Sequence, residues 1–152
     1  GNLDFTGASG ADLAVSYPGA AGGGQILLYS SLLAPTTPTL NPSPVRIVGP
    51  LTFGTAISIG RVDTDTNGDL VAATNFATAN FAWVLYQANG AFESGVVGSS
   101  PQFWQSRFDA TVLTGVATSR LGSSNLVADV TGDGLPDLVL GDLGIGEVRI
   151  WR

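Results

Sequence analysis

The 152-residue chain has no cysteine, histidine, methionine or lysine, and its six arginines face twelve acids for a net charge of −6. Each absence excludes a class of chemistry. Ser-His-Asp, Cys-His and Ser-Lys nucleophiles all lack a member. Zinc sites built from Cys and His are impossible. No basic field is present to attract phosphate, so nucleic acid is not an expected partner. Without cysteine, no disulfide speaks to the redox compartment. No apolar run is long enough for a spanning helix, and no secretory leader is recognisable. The one Asn-x-Ser triplet, Asn41-Pro42-Ser43, is disqualified as a glycosylation site by its proline.

What is present is apolar and glycine-rich. Hydrophobic residues make up 44% and charged residues 12%, with a mean hydropathy of +0.30. That is apolar for a free monomer, and it implies surface covered by Gly, Ser and Thr, by another chain or by further sequence. The length suits one domain with a real core. The acids are ten Asp plus Glu93 and Glu147, which are isolated from each other. A glycosidase pair is conceivable, but nothing marks one, and the expectation is a protein that is not an enzyme.

The carboxylates gather in one place above all. In "DVTGDGLPDLVLGD" (129–142), Asp129, Asp133 and Asp137 occupy positions 1, 5 and 9 of a nine-residue loop. Like charges that close repel unless a cation sits among them, so the turn suggests an ion. An Asp/Gly-rich hairpin without an ion is the plainer alternative.

The loop belongs to a repeat. "FGTAISIGRVDTDTNGDLVAATN" (53–75) aligns without gaps with "LGSSNLVADVTGDGLPDLVLGDL" (121–143). Phe53 faces Leu121, Gly54 faces Gly122, Asp65 faces Asp133, and Asp69-Leu70-Val71 faces Asp137-Leu138-Val139. The opening "LDFTGASGADLAVSYP" (3–18) fits the same frame, with Asp4 at position 1 and Asp12 at position 9. A second apolar run with an aromatic near its end follows each loop: "QILLYS" (25–30), "WVLYQ" (83–87) and "EVRIWR" (147–152). In this alignment Tyr29 matches Tyr86, and Trp151 matches after a short deletion. Each unit reads strand, acidic loop, strand, turn, strand, with no sustained helical period. "VRIVG" (45–49) and a stretch within 102–115 are expected as fourth, outer strands. "LAPTTPTLNPSP" (33–44) reads as a long surface connection, or as an O-glycosylated or recognition loop.

"FG" before an apolar strand, then Asp-x-Thr-x-Asp-Gly-x-x-Asp and "LVLGD", resembles the FG-GAP repeat, which builds the β-propeller of integrin α chains and occurs in many secreted proteins. The resemblance covers nearly the whole chain as about three units (approximately 1–49, 50–115 and 116–152). The family's "GAP" is replaced here by "SYPGA", "ATN" and "GDL". The resemblance implies an all-β fold: a single-domain partial β-propeller of about three four-stranded antiparallel blades with acidic calcium-type loops. The frame holds about ten strands, an inner strand being wanted before Gly1 and an outer one after Arg152. The ends are therefore expected to border further blades, another chain or a second copy.

Calcium takes six to eight oxygen ligands. The third loop offers side-chain oxygens from Asp129, Thr131, Asp133 and Asp137 and the Leu135 carbonyl, and it is not an EF-hand, because Leu140 stands where that loop has Glu. In the second loop position 1 is Arg61. Either its guanidinium replaces the ion by pairing with the carboxylates, or calcium binds through Asp63, Asp65, Asp69 and the Asn67 carbonyl. The first loop keeps only Asp4, Thr6 and Asp12 and reads as metal-free. Trp83, Trp104, Trp151 and Phe103 could stack on a sugar, but aromatics at strand positions usually fill cores.

The expected function is a calcium-binding extracellular or cell-surface module for adhesion, assembly or structural interaction, with other chains or further blades as partners and glycan as a further candidate. The alternative is an accessory, carbohydrate- or substrate-binding domain of a secreted enzyme, or a propeller lectin.

Overall fold

The computed structural model describes residues 12–29, 44–65, 67–74, 81–87, 95–96, 109–116 and 118–152. They form β1 (Leu13–Tyr17), β2 (Gln25–Tyr29), β3 (Val45–Val48), β4 (Ala56–Gly60), β5 (Asp69–Ala73), β6 (Phe81–Tyr86), β7 (Gly95–Val96), β8 (Asp109–Thr114), β9 (Leu121–Ala128), β10 (Asp137–Asp142) and β11 (Glu147–Trp151), with no helix among the described residues. The strands make three open sheets: a first sheet in the order β1-β2-β3-β7, a central sheet β4-β5-β6-β8 and a last sheet β11-β10-β9. Pairing is antiparallel except for the short match of Ile47 and Val48 with Gly95 and Val96.

The all-β expectation holds, and the strands expected at 45–49 and within 102–115 form as β3 and β8. β8 is the outer strand of the central sheet, whereas β3 lies inside the first sheet between β2 and β7, not at its edge. The two-residue β7 was not expected. It leaves the second unit to extend the first sheet, and two residues carry no periodic signal.

The sheets stack face to face. One core joins Ile26, Leu28 and Ile47 of the first sheet to Leu70, Ala72, Trp83 and Leu85 of the central sheet. A second core joins Val71, Ala73, Ala82 and Val84, on the other side of the central sheet, to Leu121, Leu138 and Leu140 of the last. The central sheet is therefore covered on both sides. That is why β5 is buried at every residue and reads, after Asp69, as an unbroken apolar run over 70–73, while β2 alternates. Each large side chain buried this way stabilises the fold by about 1.5–3 kcal/mol.

The two stacking joints share one design, and it explains the Phe-Gly and Leu-Gly pairs. Phe53 is fully buried and meets Trp83 edge-on, with ring centroids 5.2 Å apart. Gly54 follows with φ 84° and Gly122 with φ 82°, a left-handed backbone that glycine adopts without penalty. A Cβ on Gly54 would come within 3.1 Å of both Ser16 and Ile26, which are cross-strand partners in the first sheet. A Cβ on Gly122 would come within 2.5 Å of the Ala73 Cβ and 3.3 Å of the Ala82 Cβ, and those two residues are cross-strand partners in the central sheet. Each glycine thus lets its turn settle onto an equivalent pair in the sheet before it.

Strand register corrects one match. Tyr29 pairs with Leu13, Leu85 with Leu70, and Trp151 with Leu138. Since Leu13, Leu70 and Leu138 are equivalent, Tyr29 corresponds to Leu85 and Trp151, and Tyr86 falls one residue out. A one-residue offset reverses the face, so Tyr86 packs into the second core.

Candidate metal-binding loops

Position 9 of each described loop opens a strand buried on at least one face, which carries its carboxylate out of water. Asp69 and Asp137 are both almost fully buried. Asp69 accepts the Val62 N–H at 2.7 Å and the Asp63 N–H at 3.4 Å on one oxygen, and the Gln87 N–H at 3.1 Å on the other. Asp137 accepts the Val130 and Thr131 N–H groups at 2.9 and 3.0 Å, with the Thr131 hydroxyl at 3.4 Å. The carboxylate at position 9 thus ties down the amides of positions 2 and 3 in both loops.

Their protonation tendencies diverge. Burial pushes Asp69 above its ordinary 3.8; the amides of Val62 and Gln87 oppose this without outweighing it, and the neighbouring Asp63 charge adds to it. Burial also opposes ionisation of Asp137, but the Val130 and Thr131 amides, the Thr131 hydroxyl and the positive Arg152 together bring it below 3.8.

The remaining acids face their own loops. Asp129 accepts the Gly132 N–H at 2.6 Å and the Gly134 N–H at 2.9 Å, and Asp133 accepts the Leu135 N–H at 2.9 Å. In the second loop Asp63 accepts from the Asp65 N–H at 2.9 Å, and Asp65 from the Asn67 N–H at 2.7 Å and its Nδ2 at 2.8 Å. Asn67 Nδ2 also reaches the Gln87 carbonyl at 3.0 Å. With the carboxylates turned to these amides, no three acids among the described residues converge on one point.

The donor set is nonetheless chemically apt for a hard cation. Every side-chain donor at positions 1, 3, 5 and 9 of the third loop is oxygen, and a carboxylate oxygen that accepts one N–H keeps a lone pair. The loop is open to solvent, with Asp129 and Asp133 exposed. Asp129, Thr131, Asp133, Leu135 and Asp137 fall on one turn, as do Asp63, Asp65, Asn67 and Asp69. Arg61 is exposed, and among the described residues no ion pair joins it to Asp63, Asp65 or Asp69; the ion pair found there is Arg149–Glu147 at 3.4 Å. Of the first loop only Asp12 is described, and Phe103 and Trp104 lie outside the described residues.

Two features were missed in the sequence. Buried Asp142, in "LVLGD", accepts the Ser119 hydroxyl, the Arg120 N–H at 2.7 Å and the Gly144 N–H at 3.2 Å. Burial works against its charge, but the Ser119, Arg120 and Gly144 donors, with Arg149, bring it below 3.8. The signal for it is an acid closing an apolar run. Beside the loops, Val62, Tyr86, Pro136, Trp151 and Arg152 also help line a pocket of about 160 Å³ between the central and last sheets.

No protein-family model matches the chain, and no curated protein is significantly similar to it. No helix among the described residues is long and apolar enough to cross a membrane.

Proposed function

We propose that the chain is a segment of an FG-GAP-type β-propeller, stabilised by calcium, that serves as an extracellular or cell-surface module for adhesion, assembly or structural interaction. One observation carries this reading: the two described acidic loops occupy the same place in successive sheets that stack through the same Phe-Gly or Leu-Gly joint. β1 and β11 are edge strands of their sheets, which suits a role completed by further blades or other chains. Thr131 is a neutral ligand, so affinity should fall in the roughly 0.1–1 mM range of extracellular modules, which cytosolic calcium would not fill.

Calorimetric titration of calcium into the chain, paired with thermal unfolding with and without the ion, tests it. Binding in that range and a raised Tm are expected, both lost in Asp129→Asn/Asp133→Asn. No heat and no shift would overturn the calcium part. The lectin alternative draws support from Tyr86, Trp151 and Arg152, which offer aromatic faces and a donor at one pocket. Sugar-induced quenching of tryptophan fluorescence that is lost in Trp151→Ala would favour it.

A further inference from the structure

The stack has a direction. Let the front of a sheet be the side bearing Leu70, Ala72, Trp83 and Leu85 in the central sheet, and the back the side bearing Val71, Ala73, Ala82 and Val84. The front of the central sheet packs on Ala14, Ile26, Leu28 and Ile47 of the first. By register Ala14 is the counterpart of Val71, so these residues form the first sheet's back. The last sheet places Leu138, Leu140 and Trp151, its front, on the back of the central sheet. Both joints are front to back in the same sense.

Among the described residues, one face of each kind is left over. The front of the first sheet carries Leu13, Val15 and Tyr17, exposed by 39%, 40% and 61%, paired with Tyr29, Leu27 and Gln25 in turn. Arg46, the partner of Leu27, lies on the same face with its guanidinium hydrogen-bonded to Gln25. On the back of the last sheet Leu126, Val139 and Ile150 form one row across three strands. Leu126 and Ile150 are 50% and 51% exposed, and Val148 beside them 67%. Val148 pairs with Gly141, the counterpart of the Ala73–Ala82 pair that receives Gly122 one sheet earlier. Apolar patches of this kind mark interaction sites.

We infer that a second copy of the chain covers them, the front of its first sheet packing on the back of this copy's last sheet. The interface already made twice within the chain is what identifies the occupant: a front meets a back, and each copy exposes one of each. Because the two faces differ, the contact is heterologous, not two-fold symmetric. The inference rests on the assembly half of the proposed function and not on calcium, so it is tested in chelator, where failure of ion binding has no bearing.

Sedimentation velocity of the 152-residue chain across concentration should show reversible association. Val15→Arg removes the front and Ile150→Arg the back. Both sites are exposed, so unfolding curves should match the parent's at monomeric concentration, which separates a lost interface from a lost fold. Each variant alone should be monomeric. Mixed, they should form a one-to-one dimer and nothing larger, because one intact front then meets one intact back. A parent that stays monomeric at all concentrations, a single variant that still dimerises, or a mixture that stays monomeric would each overturn the inference.

Discussion

The second and third units place an aspartate at the same loop position, on the same two amides, and give it opposite tendencies. Asp69 lies at the opening of a strand buried on both faces, beside the Asp63 carboxylate. Asp137 opens a strand whose other face is only partly covered, and Arg152 is near. The two shared amides therefore do not by themselves set the direction of the shift; burial, the remaining donors and the charges nearby decide it. The joints repeat this lesson sterically. The glycines share a backbone conformation, but Gly122 rests on a tighter seat than Gly54.

The largest expected break in the parallel is at those seats. Alanine at either glycine incurs left-handed strain of about 1–2 kcal/mol, and Gly122→Ala adds a backbone-borne clash with Ala73, for a total of about 3 kcal/mol. Gly54→Ala should cost about 1–2 kcal/mol, since Ile26 and Ser16 can yield slightly. Denaturant melts of both variants measure the gap, and equal losses would show that the seats do not differ.

A smaller change should make the units more alike. Asn125 is the counterpart of Ile57, each being paired with an equivalent residue of the next strand, and its buried amide has no hydrogen-bond partner among the described residues. Asn125→Leu should raise stability by about 1 kcal/mol, as an unsatisfied buried polar group is removed. A lowered Tm would show that the amide is satisfied after all.

The smallest effect is a difference in pH response, measured in chelator. Asp137 and Asp142 are held below 3.8, so their contribution is present above that value and lost as pH falls through their lowered values. Asp69 runs the other way: its contribution is present below 3.8 and lost as pH rises through its raised value. Asp142→Asn should flatten the acid-side loss of Tm, and Asp69→Asn should flatten the decline at higher pH. Matching profiles for the two variants would erase the distinction.

Much of this frame was legible in the sequence, because turn glycines, loop aspartates and alternating apolar residues are local signals. The Asp129–Asp137 loop, the strands on either side and the strands β3 and β8 are all legible this way, but not the placement of β7 beyond β3. Less legible was anything set by contact between units. The Leu70–Ala73 run signals burial but not what buries it. Nothing local marks the partners of Asp142, because its donors Ser119 and Arg120 lie more than twenty residues away in the chain. The carboxylates of Asp129 and Asp133 are readable as acids, but their engagement with loop amides depends on backbone geometry that spacing does not encode.

The offset between Tyr29 and Tyr86 has a consequence for how such a chain can change over time. In a hairpin the count of residues between paired strands works as a parity bit. With one parity the terminal aromatic of the returning strand serves the contact ahead, as Trp151 does; with the other it serves the contact behind, as Tyr86 does. A single-codon insertion or deletion in a turn such as 18–24 would leave the strands in place yet turn the side chains of the returning strand to the opposite neighbour. Point substitution tunes one contact at a time, whereas a change of turn length exchanges whole surfaces in one step.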